Sequence, residues 1–157
     1  MKRYQSPELI LSIFTRLTSQ LPSMGTPYYK NLSIVDQSKY LDQPERDNEV
    51  MYKFKSDPQF CNLLGMLHGG ALATLLDLTT GMALTCNDRD MRKSVSLQMN
   101  INFLRPAKKN EGVLIHCTSD RVGKSFGNAS CNIYDFDLNL LCNGTHVKVF
   151  VNERLDA

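Results

Sequence analysis

Apolar and polar residues change period twice along the chain. Leu9, Ile10, Ile13, Phe14 and Leu17 recur at helical spacing behind Ser6-Pro7-Glu8. Ser6 is placed to cap that helix, Pro7 to open it and Glu8 to meet its positive end. The breaker-rich stretch Leu21-Pro22-Ser23-Met24-Gly25-Thr26-Pro27 reads as a linker, so residues 1–27 form a helix and linker ahead of one domain over 28–153. Residues 30–41 and 48–56 read as two strands paired through the polar turn from Asp42 to Asn48. Residues 57–67 read as irregular, with one helical turn after Pro58. From Gly69 to Cys86 the period is helical again. Four strands follow at about 94–104, 111–122, 125–135 and 140–151, with turns at Arg121 to Ser125 and Asp135 to Asn139. From Ser94 to Phe103 the odd positions are apolar and the even ones polar, which predicts one face on a core and one away from it. Helix, two strands, apolar helix, four strands: this order predicts an α+β domain with the sheet wrapped on the central helix.

The central helix carries one feature that its pattern does not explain. ALATLLDLTTGMALTC, from Ala71 to Cys86, has Asp77 and otherwise no ionisable group but the terminal thiol. Apolar residues fall on every side, which predicts burial nearly all round. An unpaired ion there costs several kcal/mol even after relaxation, and desolvation favours its protonated form. Capping is excluded, because Asp77 lies two turns in. Two readings stay open: a general base or nucleophile in a cleft, or an Asp bonded to a neighbouring hydroxyl or to a chain across an interface. At the helix start stands Leu67-His68-Gly69-Gly70. Glycine lets a ligand approach the backbone. The first N–H groups of a helix lack internal partners and carry partial positive charge. A polarised carbonyl oxygen fits there, as in an oxyanion hole. A glycine pair used only for tight packing would look the same.

Composition narrows the classes. The 157 residues fit one domain. With 18 basic against 16 acidic residues, net charge +2, there is no bulk field for nucleic acid. No apolar run reaches the roughly 20 residues of a membrane span. Cys61, Cys86, Cys117, Cys131 and Cys142 are odd in number and contain no CxxC pair, which points to free thiols in a reducing compartment. Their spacing gives no tetrahedral zinc pattern, and no cofactor is expected. Asn128-Ala129-Ser130 and Asn143-Gly144-Thr145 are chance sequons in such a compartment. Lys2, Arg3 and Arg16 within residues 1–21 also suit a mitochondrial presequence, so cytosol and mitochondrion both stay open as an intracellular location. Arg105, Lys108, Lys109, Arg121 and Lys124 make local basic clusters, either a phosphate subsite or a solvated surface. Gly123-Lys124-Ser125 is not a P-loop, because Thr118 stands where the upstream glycine is needed.

Asn62-Leu63-Leu64-Gly65-Met66-Leu67-His68-Gly69-Gly70 followed by Asp77 resembles the signature of hotdog-fold acyl-CoA thioesterases. The similarity is to the branch of the 4-hydroxybenzoyl-CoA and phenylacetate-type enzymes, within it to the small eukaryotic thioesterase-superfamily members. Val95-Ser96-Leu97-Gln98-Met99-Asn100 is similar to the strand after the central helix in that branch. The resemblance implies an antiparallel sheet of about six strands around residues 69–86, and hydrolysis of acyl-CoA to fatty acid and coenzyme A. It implies Asp77 as base or nucleophile, and Gly69 N–H with the Asn62 side chain as the oxyanion hole. His68 would support that loop and Ser96 would position the lytic water. Phe103, Leu104, Arg105, Pro106, Ala107 and Lys108, with Arg121, Val122, Gly123, Lys124, Ser125 and Phe126, would line the CoA. It also implies pairing of sheet edges and a dimer of dimers, a homotetramer.

Helix geometry adds a constraint. Gly69 and Asp77 are eight positions apart, roughly 12 Å along the axis at about 1.5 Å per residue. An oxyanion donor must sit about 3 Å from the carbonyl oxygen. Two antiparallel helices from two chains satisfy both, which predicts a homodimer with composite sites. The alternatives are a non-catalytic acyl-CoA-binding protein on the same fold, and a hotdog hydratase or dehydratase.

Overall fold

The computed structural model describes residues 3–20, 26–43, 45–108 and 111–155. The first helix, α1 (Pro7–Gln20), starts as the sequence predicts: Leu9 N–H donates to Ser6 Oγ at 3.2 Å. The N–H groups of Tyr4 and Gln5 donate to Cys86 O at 2.9 and 3.0 Å, which ties α1 to the end of the central helix. Ile10 and Ile13 are buried, with Leu11, Phe14 and Leu17 packed beside them. Leu9, expected on that face, is exposed. It lies about 100° around the axis from Ile10, at the edge of the stripe. The linker from Leu21 to Gly25 lies outside the described residues. Thr26 and Pro27 already belong to a short helix, α2 (Thr26–Lys30), which buries Tyr29.

Strand 30–41 is shorter than its pattern suggests. Only β1 (Leu32–Ile34) pairs, with β2 (Glu49–Phe54), in register Leu32 to Phe54. The chain then leaves the sheet because Asp36 accepts a bond from Ser38 N–H at 3.0 Å and turns it into a 3-10 helix, Gln37–Lys39. The remaining elements are α3 (Gly69–Asn87), β3 (Arg92–Phe103), β4 (Val113–Val122), β5 (Phe126–Tyr134) and β6 (Leu140–Arg154). All neighbours are antiparallel in the order β1-β2-β4-β5-β6-β3. Leu72, Leu75, Leu76, Met82, Ala83 and Cys86 of α3 pack into this sheet. The α+β hotdog architecture expected from the sequence is the one observed. No helix among the described residues is long and apolar enough to cross a membrane.

Two departures matter for the site. First, α3 is not buried all round. Ala73, Thr74, Asp77, Leu78 and Gly81 form a half-open stripe, since the sheet of one chain covers only one side of the helix. Second, β3 does not alternate strictly. Ser96 pairs with Lys148 and Met99 with His146, while the ladder slips between Ser96 and Gln98. Directly paired residues share a face. Ser96 and Met99 therefore both point at α3, which requires the extra residue Leu97 as a β-bulge. Strict alternation would put Ser96 and Met99 on opposite faces.

Candidate active site

A short loop leads into α3. A bridge between Cys61 and Leu67 closes it. Asn62 Oδ1 accepts bonds from the N–H of Leu64 at 2.9 Å and of Met66 at 3.2 Å. Gly65 turns the loop at φ 76°, in the left-handed region that glycine tolerates. The Asn62 carbonyl is thus engaged, and its amide nitrogen remains the donor that the side chain can offer. His68 caps α3: its Nδ1 accepts from Gly70 N–H at 2.9 Å. An accepting Nδ1 assigns the proton of the neutral ring to Nε2. Ala71 and Leu72 N–H both donate to His68 O. Gly69 N–H has no protein acceptor among the described residues, and beside it stands the Phe103 ring, 3.6 Å from where a Cβ would be. His68 N–H also donates to Phe60 O at 2.9 Å, which fixes the end of the loop.

Two turns further on, Asp77 lies against β3 and β6. Ser96 Oγ donates to Asp77 Oδ1 at 3.1 Å. Lys148 Nζ donates to the same oxygen at 3.4 Å and to Ser96 Oγ at 3.1 Å. His146 Nε2 is 3.6 Å from Asp77 Oδ1, while its Nδ1 shares a bond with Thr80 Oγ1 at 2.7 Å. These partners all act on Oδ1, leaving Oδ2 without a protein partner among the described residues. The Asp77 side chain is 41% exposed, against 10% for Lys148 and 0% for His146. Burial pushes the His146 ring down to about 4, the Lys148 charge adds to this, and Asp77 opposes it. His146 is therefore neutral at neutral pH.

Sequence reading missed Lys148 and His146. A signal existed: Cys142, Gly144, His146, Lys148 and Phe150 are the inward positions of β6, and two of them, His146 and Lys148, carry basic side chains.

The two expected CoA segments do not meet within one chain. Phe103 ends β3 and Leu104 to Lys108 follow it, where Leu104 and Arg105 N–H both donate to Leu141 O. Arg121 to Phe126 form the β4–β5 turn, where Arg92 donates to Gly123 O and Lys124 O. The nine residues of β5 separate the two, about 27 Å at about 3.4 Å per residue. The basic clusters are also partly engaged. Lys108 pairs with Asp137, and Arg105 Nη1 reaches Asn139 Oδ1 at 3.5 Å. Lys109 lies outside the described residues.

The thioesterase superfamily model matches residues 64–142, half of the chain. Mouse acyl-coenzyme A thioesterase 13 is 36% identical over 101 residues, 64% of this chain and 71% of that protein. The crystal structure of zebrafish thioesterase superfamily member 2 aligns with a TM-score of 0.76 over 93% of this chain and 99% of that one, at 24% identity. A hypothetical thioesterase of Streptococcus pneumoniae, solved with coenzyme A, aligns at 0.65 over 80% and 89%, with 23% identity. At those identities the two structures speak for the fold alone. The family match and the mouse relative go further: this chain belongs to the thioesterase superfamily.

Proposed function

We propose that this chain hydrolyses acyl-CoA thioesters as a homodimer, with coenzyme A entering only as part of the substrate. The observation that carries the reading is the half-exposed Asp77 carboxylate, held through Oδ1 by Ser96 and Lys148, with no protein partner on Oδ2 among the described residues. As general base, Asp77 Oδ2 takes a proton from water while the water oxygen bonds to the thioester carbon. Negative charge moves onto the carbonyl oxygen, where Gly69 N–H and the Asn62 amide receive it. Collapse breaks the C–S bond, and the sulfur leaves with the proton that Asp77 holds. The products are a carboxylic acid and coenzyme A. Ser96 orients Asp77, and its contact with the water is through the same hydroxyl.

The sheet edge supports the dimer. β3 is the terminal strand, twelve residues long, and offers an unpaired row of backbone groups. Val95, Leu97 and Met99 are exposed on it at 56, 62 and 38%. Antiparallel pairing of two β3 strands about a dyad close to Met99 covers them. Gly69 sits over Phe103, and Asp77 over Ser96. That dyad sets the Phe103 end of each strand, with Gly69, against the Ser94 to Ser96 segment of the other, with Asp77. It also brings Phe103 to Lys108 of one chain toward the partner's Arg121 to Phe126 turn, because Arg92 at the start of β3 is bonded to that turn. One symmetry axis thus joins both separated halves. His146 stands beside a carboxylate, as in a hydratase, but its complete burial keeps it from substrate.

The test is release of free thiol from acyl-CoAs of graded length. Asp77→Asn should lower turnover by about two to four orders of magnitude. Near-wild-type turnover in that variant refutes the assigned role, and tight acyl-CoA binding without turnover by the wild type would favour a sensor.

A further inference from the structure

We propose that Lys148 is a positioning residue: a buried counter-cation that keeps the Asp77 carboxylate charged once the partner subunit has covered it. This rests on the hydrolase reading above. A lysine on the inward face of a strand is unusual, since a buried ammonium needs a partner. Lys148 is 8% exposed. Its stem does not run out to solvent as lysines usually do. It passes over Gly81, where an added Cβ would touch Nζ, Cε and Cδ at 3.7, 3.8 and 4.0 Å. A glycine one turn after Asp77 therefore leaves the groove in which the ammonium reaches Asp77 Oδ1 and Ser96 Oγ.

The need for a cation appears on assembly. In the single chain the Asp77 side chain is 41% exposed. A composite site covers most of that surface with the partner and leaves room there for the attacking water. Desolvation then favours the protonated acid, and a protonated Asp77 cannot accept a proton from the attacking water. An opposite charge in contact counters this directly. The other groups facing Asp77 do not supply one. From β6, His146 is neutral; from α2, Tyr29 is pushed up by burial and by Asp77 itself, so it too is neutral. From β3, Ser96 is uncharged, and from α3, Thr80 is turned to Leu76 O and His146. Arg92 and Lys93 of β3 are engaged by Asp88 and Glu153. Among the described residues, Lys148 is the one lysine or arginine within 4.0 Å of the Asp77 carboxylate.

Lys148→Met keeps the stem and removes the charge; Lys148→Arg keeps the charge. The full-length dimers are compared by thiol release against pH, with thermal unfolding alongside. In Lys148→Met the acid limb of kcat/KM should move up by roughly 1–3 pH units. KM should change little, and activity should recover toward high pH. Lys148→Arg should return the limb toward the wild-type position. A merely structural lysine would lower thermal stability and leave the limb in place, and that result overturns the proposal. If Lys148→Met does not fold, Lys148→Gln against Lys148→Arg gives the same reading. If the wild type releases no thiol, the hydrolase reading fails. The Lys148 effect is then read from the carboxyl carbon-13 shift of Asp77 against pH, in wild type and variant; coincident titrations overturn it.

Discussion

Gly69→Pro separates the proposed oxyanion donor from the helix that carries it. Proline removes one N–H and nothing else that the fold uses there, because Gly69 N–H bonds no protein acceptor among the described residues. It stands at the first position of α3, where proline is favoured. His68 before it sits at φ −65° and ψ 141°, the extended region that a residue preceding proline adopts. A Cβ at 69 meets the Phe103 ring at 3.6 to 4.0 Å, ordinary contact. Stability should therefore stay within about 0.5 kcal/mol of wild type in urea. Turnover should fall about a hundred- to a thousandfold, the usual loss for one such donor. The same variant tests the composite site. Mixed in equal amounts with Asp77→Asn and allowed to exchange, half the dimers pair one chain of each kind. Each mixed dimer has one site with Gly69 from one chain and Asp77 from the other, and one site with neither. About a quarter of wild-type activity should return. If exchange is verified by mass spectrometry and the mixture is no more active than its separate parents, each site is built within one chain and the dyad argument is wrong.

Three further outcomes test the fold and its edge. Gly144→Ala should lose about 1–3 kcal/mol in urea unfolding, because a Cβ there would collide with Asn100 O and stand 2.7 Å from Leu76 Cδ1. Leu97→Lys should leave the single chain folded, since Leu97 is 62% exposed, but raise the dimer dissociation constant; activity should then fall with dilution, measured beside sedimentation. His146 makes stability depend on acid. Its folded value is about 4 against an ordinary 6.5, so the unfolded chain takes up a proton that the folded one refuses. Stability should be complete above about pH 6.5 and fall by about 3 kcal/mol by about pH 4. His116, also lowered by burial, acts in the same direction. His146→Gln should flatten the slope in urea titrations across that range.

Local signals made most of the fold legible. The apolar run after Gly69 and the turn residues at Arg121 to Ser125 and Asp135 to Asn139 each act over a few positions, so one sequence suffices to place them. The misses arise where a distant or second surface decides. Strand 30–41 has the right composition, but Asp36 captures Ser38 N–H and ends the pairing at Ile34. The regular odd–even pattern of β3 conceals a bulge, because Leu97 is as apolar as its neighbours and only the ladder with β6 shows which way Ser96 turns. Burial of Asp77 was inferred from an apolar helix, yet an all-round apolar helix is also what a helix needs when a partner chain completes its coat. The Asp77–Lys148 pair itself was within reach. Asp77 in an apolar helix and Lys148 on the inward face of a strand are each costly alone, and they lie 71 positions apart. Opposite charges at two such positions in one small domain relieve each other only in contact. The two anomalies therefore explain one another better than either is explained by its own element, and that inference needs no coordinates.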